Sequence, residues 1–172
     1  MITLITGGIK SGKSRRALDL AIREWRLSPR SLAAFIATAE ALDDEMKVRI
    51  ARHQDERLSL AGNGAFTTIE EPLELGRAVS SAGERALVDC IPMWINNLTY
   101  HRQESEFSRI LNAFIAGMRD CIVVTNETGM GNIPFDEATR RYNMMLAEAN
   151  RKIAAAADRV ELMVSGIPLR VK

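Results

Sequence analysis

The chain has 172 residues, 47% of them hydrophobic and 26% charged, which is ample for a packed core and excludes a disordered chain. That length fits one domain spanning residues 1–172. Lys and Arg number 23 against 22 Asp and Glu, a net charge of +1, which speaks against nucleic acid as a partner because such domains carry a clear basic excess.

In chain order, short apolar runs alternate with longer helical patterns. The strand-like runs are 2–6, 32–38, 66–69, 86–91, 121–126 and 160–165, and a last run, 167–171, is expected to fold back as a hairpin through Gly166. Several are continuous rather than alternating, as expected of strands covered on both faces. Helical patterns cover 13–25, 41–57, 104–118 and 136–157. In the second, Asp43, Asp44 and Glu45 fall in the first turn, where the helix dipole favours negative charge. In the last, Ala138, Tyr142, Met145, Ala149, Ile153 and Ala156 recur at helical spacing, and the Met144-Met145 pair and the alanines from Ala154 to Ala157 read as core. Strand then helix, repeated, predicts an α/β fold with a mostly parallel sheet flanked by helices. Cys90 and Cys121 lie in apolar runs with no metal spacing and read as reduced thiols in a cytosolic protein. No apolar run approaches the roughly 20 residues of a membrane span, and no basic leader precedes the first run.

Gly7-Gly8-Ile9-Lys10-Ser11-Gly12-Lys13-Ser14 fits G-x-x-x-x-G-K-[ST], with a strand before it and a helix after it. The glycines let the backbone turn so that successive N–H groups face one phosphate cluster, and the following helix adds the positive end of its dipole. Lys13 would bridge the terminal phosphates and the Ser14 hydroxyl would ligate Mg²⁺. A magnesium-holding acid should end a neighbouring strand, and Ala86-Leu87-Val88-Asp89 has that pattern. Asp89 also fits a turn or cap residue. Glu127, after Val124-Thr125-Asn126, is a weaker candidate. The loop leaves the reaction open. The Asn-Lys-x-Asp motif of guanine-specific switch proteins is absent, and Asp89 does not begin Asp-x-x-Gly, which counts against a switch.

There are two histidines. His53 lies near the end of the second helical pattern with Arg49 and Arg57 one turn away on either side, on its face. Flanking cations disfavour the imidazolium form, and a neutral imidazole is what an attacking nitrogen requires. The same arginines could steady a phosphate. From periodicity alone a solvated histidine in a charged helix is the favoured reading of His53, and it also suits His101 in its polar stretch.

These pieces together resemble the bifunctional adenosylcobinamide kinase / adenosylcobinamide-phosphate guanylyltransferase family of cobalamin biosynthesis. The resemblance is carried by Ile5-Thr6-Gly7-Gly8 through Lys13-Ser14-Arg15, by Phe35-Ile36-Ala37-Thr38-Ala39, and by Leu42-Asp43-Asp44-Glu45-Met46 leading to Arg49-Ile50 and His53. It continues through Val124-Thr125-Asn126-Glu127, Gly129-Met130-Gly131 and Pro134, then Asn150 to Asp158, and Val164-Ser165-Gly166-Ile167. It spans nearly the whole chain. It implies a P-loop, RecA-like sheet in a cytoplasmic homotrimer that uses GTP or ATP with Mg²⁺.

The implied activity phosphorylates adenosylcobinamide, then passes GMP from GTP through a covalent guanylyl-histidine to adenosylcobinamide phosphate, giving adenosylcobinamide-GDP. The attacking histidine falls on His53, with Lys13 as the other catalytic residue. Nucleotide contacts fall on Gly8, Ile9, Lys10, Ser11, Gly12, Lys13, Ser14 and Arg15, on Ala37, Thr38 and Ala39, and on Gln54, Asp55, Glu56 and Arg57. They end with Glu70 and Asp89, and Ser14 and Asp89 would hold the metal. This sequence departs from the family in three places. Arg52 stands where many members have a first histidine. The stretch from His53 to Glu70 is longer, with Gly62-Asn63-Gly64 in it, so Glu71 rivals Glu70. Asp89 is one methylene shorter than the common Glu. Two other readings remain at this point: a P-loop small-molecule kinase with no covalent step, and a nucleotide-dependent binding module.

Overall fold

The computed structural model describes residues 1–28, 32–62 and 64–172, so Asn63 lies outside the described residues. The chain runs β1 (Ile2–Gly7), α1 (Lys13–Trp25), β2 (Ala33–Ala37), α2 (Asp44–Ala61), β3 (Phe66–Glu70), α3 (Leu75–Ser81) and β4 (Arg85–Asp89). It continues through α4 (Ile91–Tyr100), a 3₁₀ turn (Glu104–Glu106), α5 (Phe107–Gly117), β5 (Asp120–Val124), α6 (Glu137–Ala156), β6 (Arg159–Val164) and β7 (Ile167–Arg170). The strands form one seven-stranded sheet in the order β3-β2-β4-β5-β1-β6-β7. All neighbours are parallel except β7, which pairs antiparallel with β6 across the Ser165-Gly166 turn. This is the α/β, mostly parallel P-loop sheet that the sequence predicts, hairpin included.

Alternation along the strands divides the apolar side chains between two faces. Leu4, Ile36, Val88 and Val123 join a core built with α3, α4, α5 and α6. Ile5, Phe35, Leu87 and Val124 join a second core built on α1, with Leu60 of α2 packed against it. The carboxyl ends of β1, β2, β4 and β5 therefore open between a layer holding α1 and α2 and a layer holding α4 and α6. In open α/β sheets that edge is where ligands bind.

Several expectations need correction. The 86–91 run is not all strand: β4 stops at Asp89, the Asp89–Cys90 peptide is cis, and Ile91 opens α4 with Pro92 in its first turn. Proline suits that position because the N–H it lacks would be unpaired there. α3 and α4 were not expected. α3 is short and carries Gly76, where a Cβ would come 2.7 Å from that of Ala113 on α5. α4 is apolar in its first half, and it buries Trp94, Ile95 and Leu98 completely while Asn96, Thr99 and Tyr100 are exposed. The second helix starts later and runs further than 41–57. The Asp43 carboxylate accepts a hydrogen bond from the Met46 N–H (2.7 Å), so Asp43 caps the helix and lies outside it. In α6, Leu146, Ala149 and Ile153 are the buried positions, with Tyr142 and Met145 partly buried against them. Ala138, Ala155 and Ala156 are exposed and Met144 is 72% exposed, so the core stripe is narrower than the repeating apolar residues suggest.

Polar pins fix the functional edge. The Asn97 amide, 1% exposed, donates to the carbonyls of Thr38 (2.7 Å) and Pro72 (3.1 Å), tying the segments after β2 and β3 to α4. Trp94 Nε1 donates to the Leu73 carbonyl (2.8 Å), and His101 pairs with Glu40 (2.8 Å). Two turns of sequence after the P-loop begins, Arg16 of α1 makes a bidentate pair with Glu161 of β6, at 2.8 and 2.9 Å, with Arg159 3.9 Å away. This pair holds the start of α1 onto the sheet. The Arg16 hydrogen bonds keep the Glu161 carboxyl below its usual range against the opposing effect of burial.

A depressed folded-state pKa contributes stability that is present above the unfolded value near 4.5 and is lost as pH falls through the lower folded value. Glu161→Gln should cost about 2 kcal/mol, lowering Tm by about 4–8 °C at neutral pH. It should also flatten the fall of Tm with acid below pH 4.5. Thermal unfolding against pH checks this, and an unchanged acid limb would contradict it.

Candidate active site

The P-loop connects β1 to α1. Gly7 has φ 148°, and a Cβ there would lie 2.7 Å from the Met163 carbonyl oxygen and 2.9 Å from Ser11 Oγ, so only glycine fits. Gly12, with φ 92°, precedes α1, whose first turn has no side-chain cap and no acidic residue. Its leading N–H groups are thus left for an anion. Lys13 is 8% exposed, and its ammonium donates to the Gly8 carbonyl (2.5 Å) and to Ser11 Oγ (3.5 Å). Burial lowers its pKa, Cys90 and Asp89 oppose that, and Arg49 adds to it.

Asp89 ends β4 in register with Ala37 and Val124, directly beside the loop. Thr38 clamps this strand end. Its hydroxyl accepts from the Cys90 N–H and donates to the Cys90 carbonyl, both at 2.8 Å, and its own N–H donates to the Asp89 carbonyl (3.3 Å). Burial raises the Asp89 pKa. The Ser14 hydroxyl bonded to it is the largest opposing effect, followed by His53, Lys13 and Arg49. Burial likewise pushes the Cys90 thiol up to about 12. Ser14 and Asp89 offer hard oxygen donors side by side, which suits Mg²⁺, an ion that takes few protein ligands and keeps waters and phosphate oxygens. No group of three or more His, Cys, Asp or Glu stands together as a cage for another metal among the described residues.

Facing the loop is α2. Arg49, His53 and Arg57, one turn apart, all line a single cleft of about 1270 Å³ together with Lys13, Ser14 and Asp89. Arg57 lies over the Phe35 ring, 3.9 Å from its centroid, and donates to Thr68 Oγ1 (3.1 Å). Its pKa is lowered by burial, with Asp89 opposing. Ile9, Lys10, Ser11, Gly12, Arg15, Ala37, Ala39, Gln54, Glu56 and Glu70 also line the cleft. Three sequence candidates do not. Gly8 contributes its carbonyl to Lys13, Thr38 is fully buried in its clamp, and Asp55 points to solvent. Of the two rival acids, Glu71 spends its carboxylate on the N–H groups of Leu73 and Glu74 (3.0 and 2.9 Å), while Glu70 faces the cleft. The Glu127 carboxylate accepts from the Gly129 N–H (2.8 Å).

Sequence reading did not single out the opposite wall, formed by Pro92, Met93, Asn96, Val124, Asn126 and Tyr142. Met93 is a cleft residue, whereas its neighbours Trp94 and Ile95 are core. Tyr142 could have been found only by noticing that it interrupts an alanine- and methionine-rich stripe with a hydroxyl.

A solved structure of a KaiC-like protein from Pyrococcus horikoshii overlaps 94% of this chain and 69% of its own at 15% identity and a TM-score of 0.47, too distant to bear on function. Sequence comparisons reach further. A bifunctional adenosylcobalamin biosynthesis protein from Pseudomonas aeruginosa is 37% identical across all of this chain and 98% of its own length. Counterparts from Escherichia coli and Salmonella typhimurium are 31% identical over the full length of both chains. The model of the cobinamide kinase / cobinamide phosphate guanyltransferase family matches residues 3–171, and the chain belongs to that family.

Proposed function

We propose that this bifunctional kinase and guanylyltransferase carries out both reactions in the one cleft, on adenosylcobinamide and then on adenosylcobinamide phosphate. The observation that carries this reading is that His53 opens onto the same cleft as Lys13, Ser14 and Asp89. GTP or ATP would lie with its phosphates over Gly8 to Arg15. In the kinase step the acceptor hydroxyl oxygen attacks the γ-phosphorus, the bond to the β-bridging oxygen breaks, and nucleoside diphosphate leaves as the hydroxyl proton is released. Lys13 and the loop N–H groups answer the charge that develops on the phosphoryl oxygens. Mg²⁺, held by Ser14 and Asp89, would supply further neutralisation of that charge. Glu70, Gln54, Glu56, Arg57 and the Ala37 to Ala39 segment complete the nucleotide's surroundings.

In the transfer step a ring nitrogen of His53 attacks the α-phosphorus of GTP and pyrophosphate leaves. The imidazole N–H proton goes with this step, giving a neutral phosphoramidate. A phosphate oxygen of the acceptor then attacks the guanylyl phosphorus, the P–N bond breaks, and His53 regains its proton. Dividing the transfer lets one small site meet two bulky reactants in turn. Arg49 and Arg57 flank His53 and steady the phosphates. The working form in this reading is a cytoplasmic homotrimer; no described helix is long and apolar enough to cross a membrane.

His53→Ala should lower guanylyl transfer by at least about 10³-fold while leaving phosphorylation of adenosylcobinamide within about ten-fold. Separate assays of the two products check this. Equal loss of both in a folded variant would contradict the division of labour, and retained transfer would favour a route without a covalent step. Lys13→Ala should instead depress both reactions by about 10²- to 10³-fold, because both use phosphates held by the same loop. Loss of only one would contradict a shared nucleotide position.

A further inference from the structure

The two long walls of the cleft differ in chemistry. The α2 wall concentrates the charge, with Glu45, Arg49, Arg52, His53, Glu56 and Arg57, although Met46, Val48, Ile50 and Gln54 lie among them. The opposite wall, from α4, the end of β5 and α6, presents Pro92, Met93, Asn96, Val124, Asn126 and Tyr142, none of them charged near neutral pH. Burial keeps the Tyr142 phenol protonated, its pKa pushed up to about 12. The wall is continuous: β4 and β5 are neighbours with Asp89 opposite Val124, and α4 packs on α6. It begins beside Asp89, with Val124 opposite it on β5 and Pro92 three residues further along the chain.

The polar groups on this wall are not engaged in holding the fold. The side-chain amides of Asn96 and Asn126 and the Tyr142 hydroxyl make no hydrogen bond to another described residue. Asn97, the neighbour of Asn96, shows the contrast, since its amide is buried and spent on two carbonyls. An asparagine side chain offers both a donor pair and an acceptor, the complement of a carboxamide. Met93 adds apolar surface between these groups, backed by the buried Pro92 and Val124. A site of about 1270 Å³ also exceeds the roughly 300–1,000 Å³ of a pocket for one drug-sized ligand, so a nucleotide on the charged side leaves room.

We propose that the Asn96–Asn126–Tyr142 wall is the acceptor subsite, gripping the neutral, carboxamide-bearing rim of the corrinoid so that its terminal hydroxyl, and later its phosphate, faces the phosphorus under attack. This rests on the two-reaction reading above. Asn96 and Asn126 pair with the rim carboxamides, Tyr142 donates to an oxygen near the reacting end, and neither role extends to the nucleotide.

The test measures KM for cobinamide and for GTP in the kinase reaction, with equilibrium dialysis of dicyanocobinamide against nucleotide-free protein. The proteins are wild type, Asn96→Ala/Asn126→Ala, and Tyr142→Phe, which keeps the ring packed against the core. The double variant should raise KM and Kd for the corrinoid at least about ten-fold, and Tyr142→Phe should raise them several-fold. KM for GTP should stay within about two-fold in both. Unchanged corrinoid constants in either protein, or an equal rise for GTP, would overturn the proposal alone, while a wild-type protein that neither binds nor phosphorylates cobinamide would overturn the two-reaction reading and this subsite with it. The dialysis arm needs no catalysis, and Tyr142→Phe decides the matter should the double variant misfold.

Discussion

Asp89 stands at the end of a central strand, shielded enough that burial opposes its charge. An acid in that position needs answering groups, and two helices at the sheet edge supply them. Ser14 and Lys13 come from the P-loop and the first turn of α1, and Arg49 and His53 come from α2. Thr38 fixes the strand end through three hydrogen bonds, so the carboxylate is aimed before any ligand arrives. Parallel strands make this convergence natural, because their carboxyl ends all open on one edge. Much of the molecule's polar pinning serves that edge: Asn97, Trp94 and His101 tie down the segments leading away from it.

From this arrangement follows an economy of chemistry. In the proposed reading, a single triphosphate held over the loop would expose its γ-phosphorus to an acceptor and its α-phosphorus to a nucleophile on a facing helix. α2 buries no residue fully, so it serves as a wall more than as a core element. Its positive groups sit where phosphates would lie, and the net charge of +1 is a sum of local concentrations of both signs. The uncharged wall opposite is the part of the cleft that, in the proposal made above, would take the corrinoid beside an anionic donor.

Much of this was legible in the sequence, and the limits have physical causes. Elements with a clear period or an unmistakable punctuation could be read: β1, the P-loop, α1 from Lys13 to Trp25, and the β6–β7 hairpin. α3 and α4 could not. One is a seven-residue helix that depends on Gly76, and the other is ten residues long, continues an apolar strand run directly and buries an asparagine, Asn97, so neither offers a long, clear amphipathic stripe. In the site, Lys13, Ser14 and Asp89 were singled out by the residue types a phosphate loop calls for and His53 by the family resemblance, and the structure brings the four to one cleft. Thr38 was read as a ligand contact, but its side chain is a structural clamp, a distinction set by three-dimensional neighbours alone. Asn96 and Tyr142 were illegible for the same reason: nothing local marks an asparagine or a tyrosine as facing a cleft.

The covalent step at His53 is the central claim, and the most direct measurement follows GTP labelled at the α-phosphate, incubated with the protein in the absence of any corrinoid. The account predicts a guanylyl adduct that is acid-labile and base-stable, that maps to the peptide containing His53, and that leaves the protein when adenosylcobinamide phosphate is added. Label that fails to bind, or that binds equally well to His53→Ala, would contradict it.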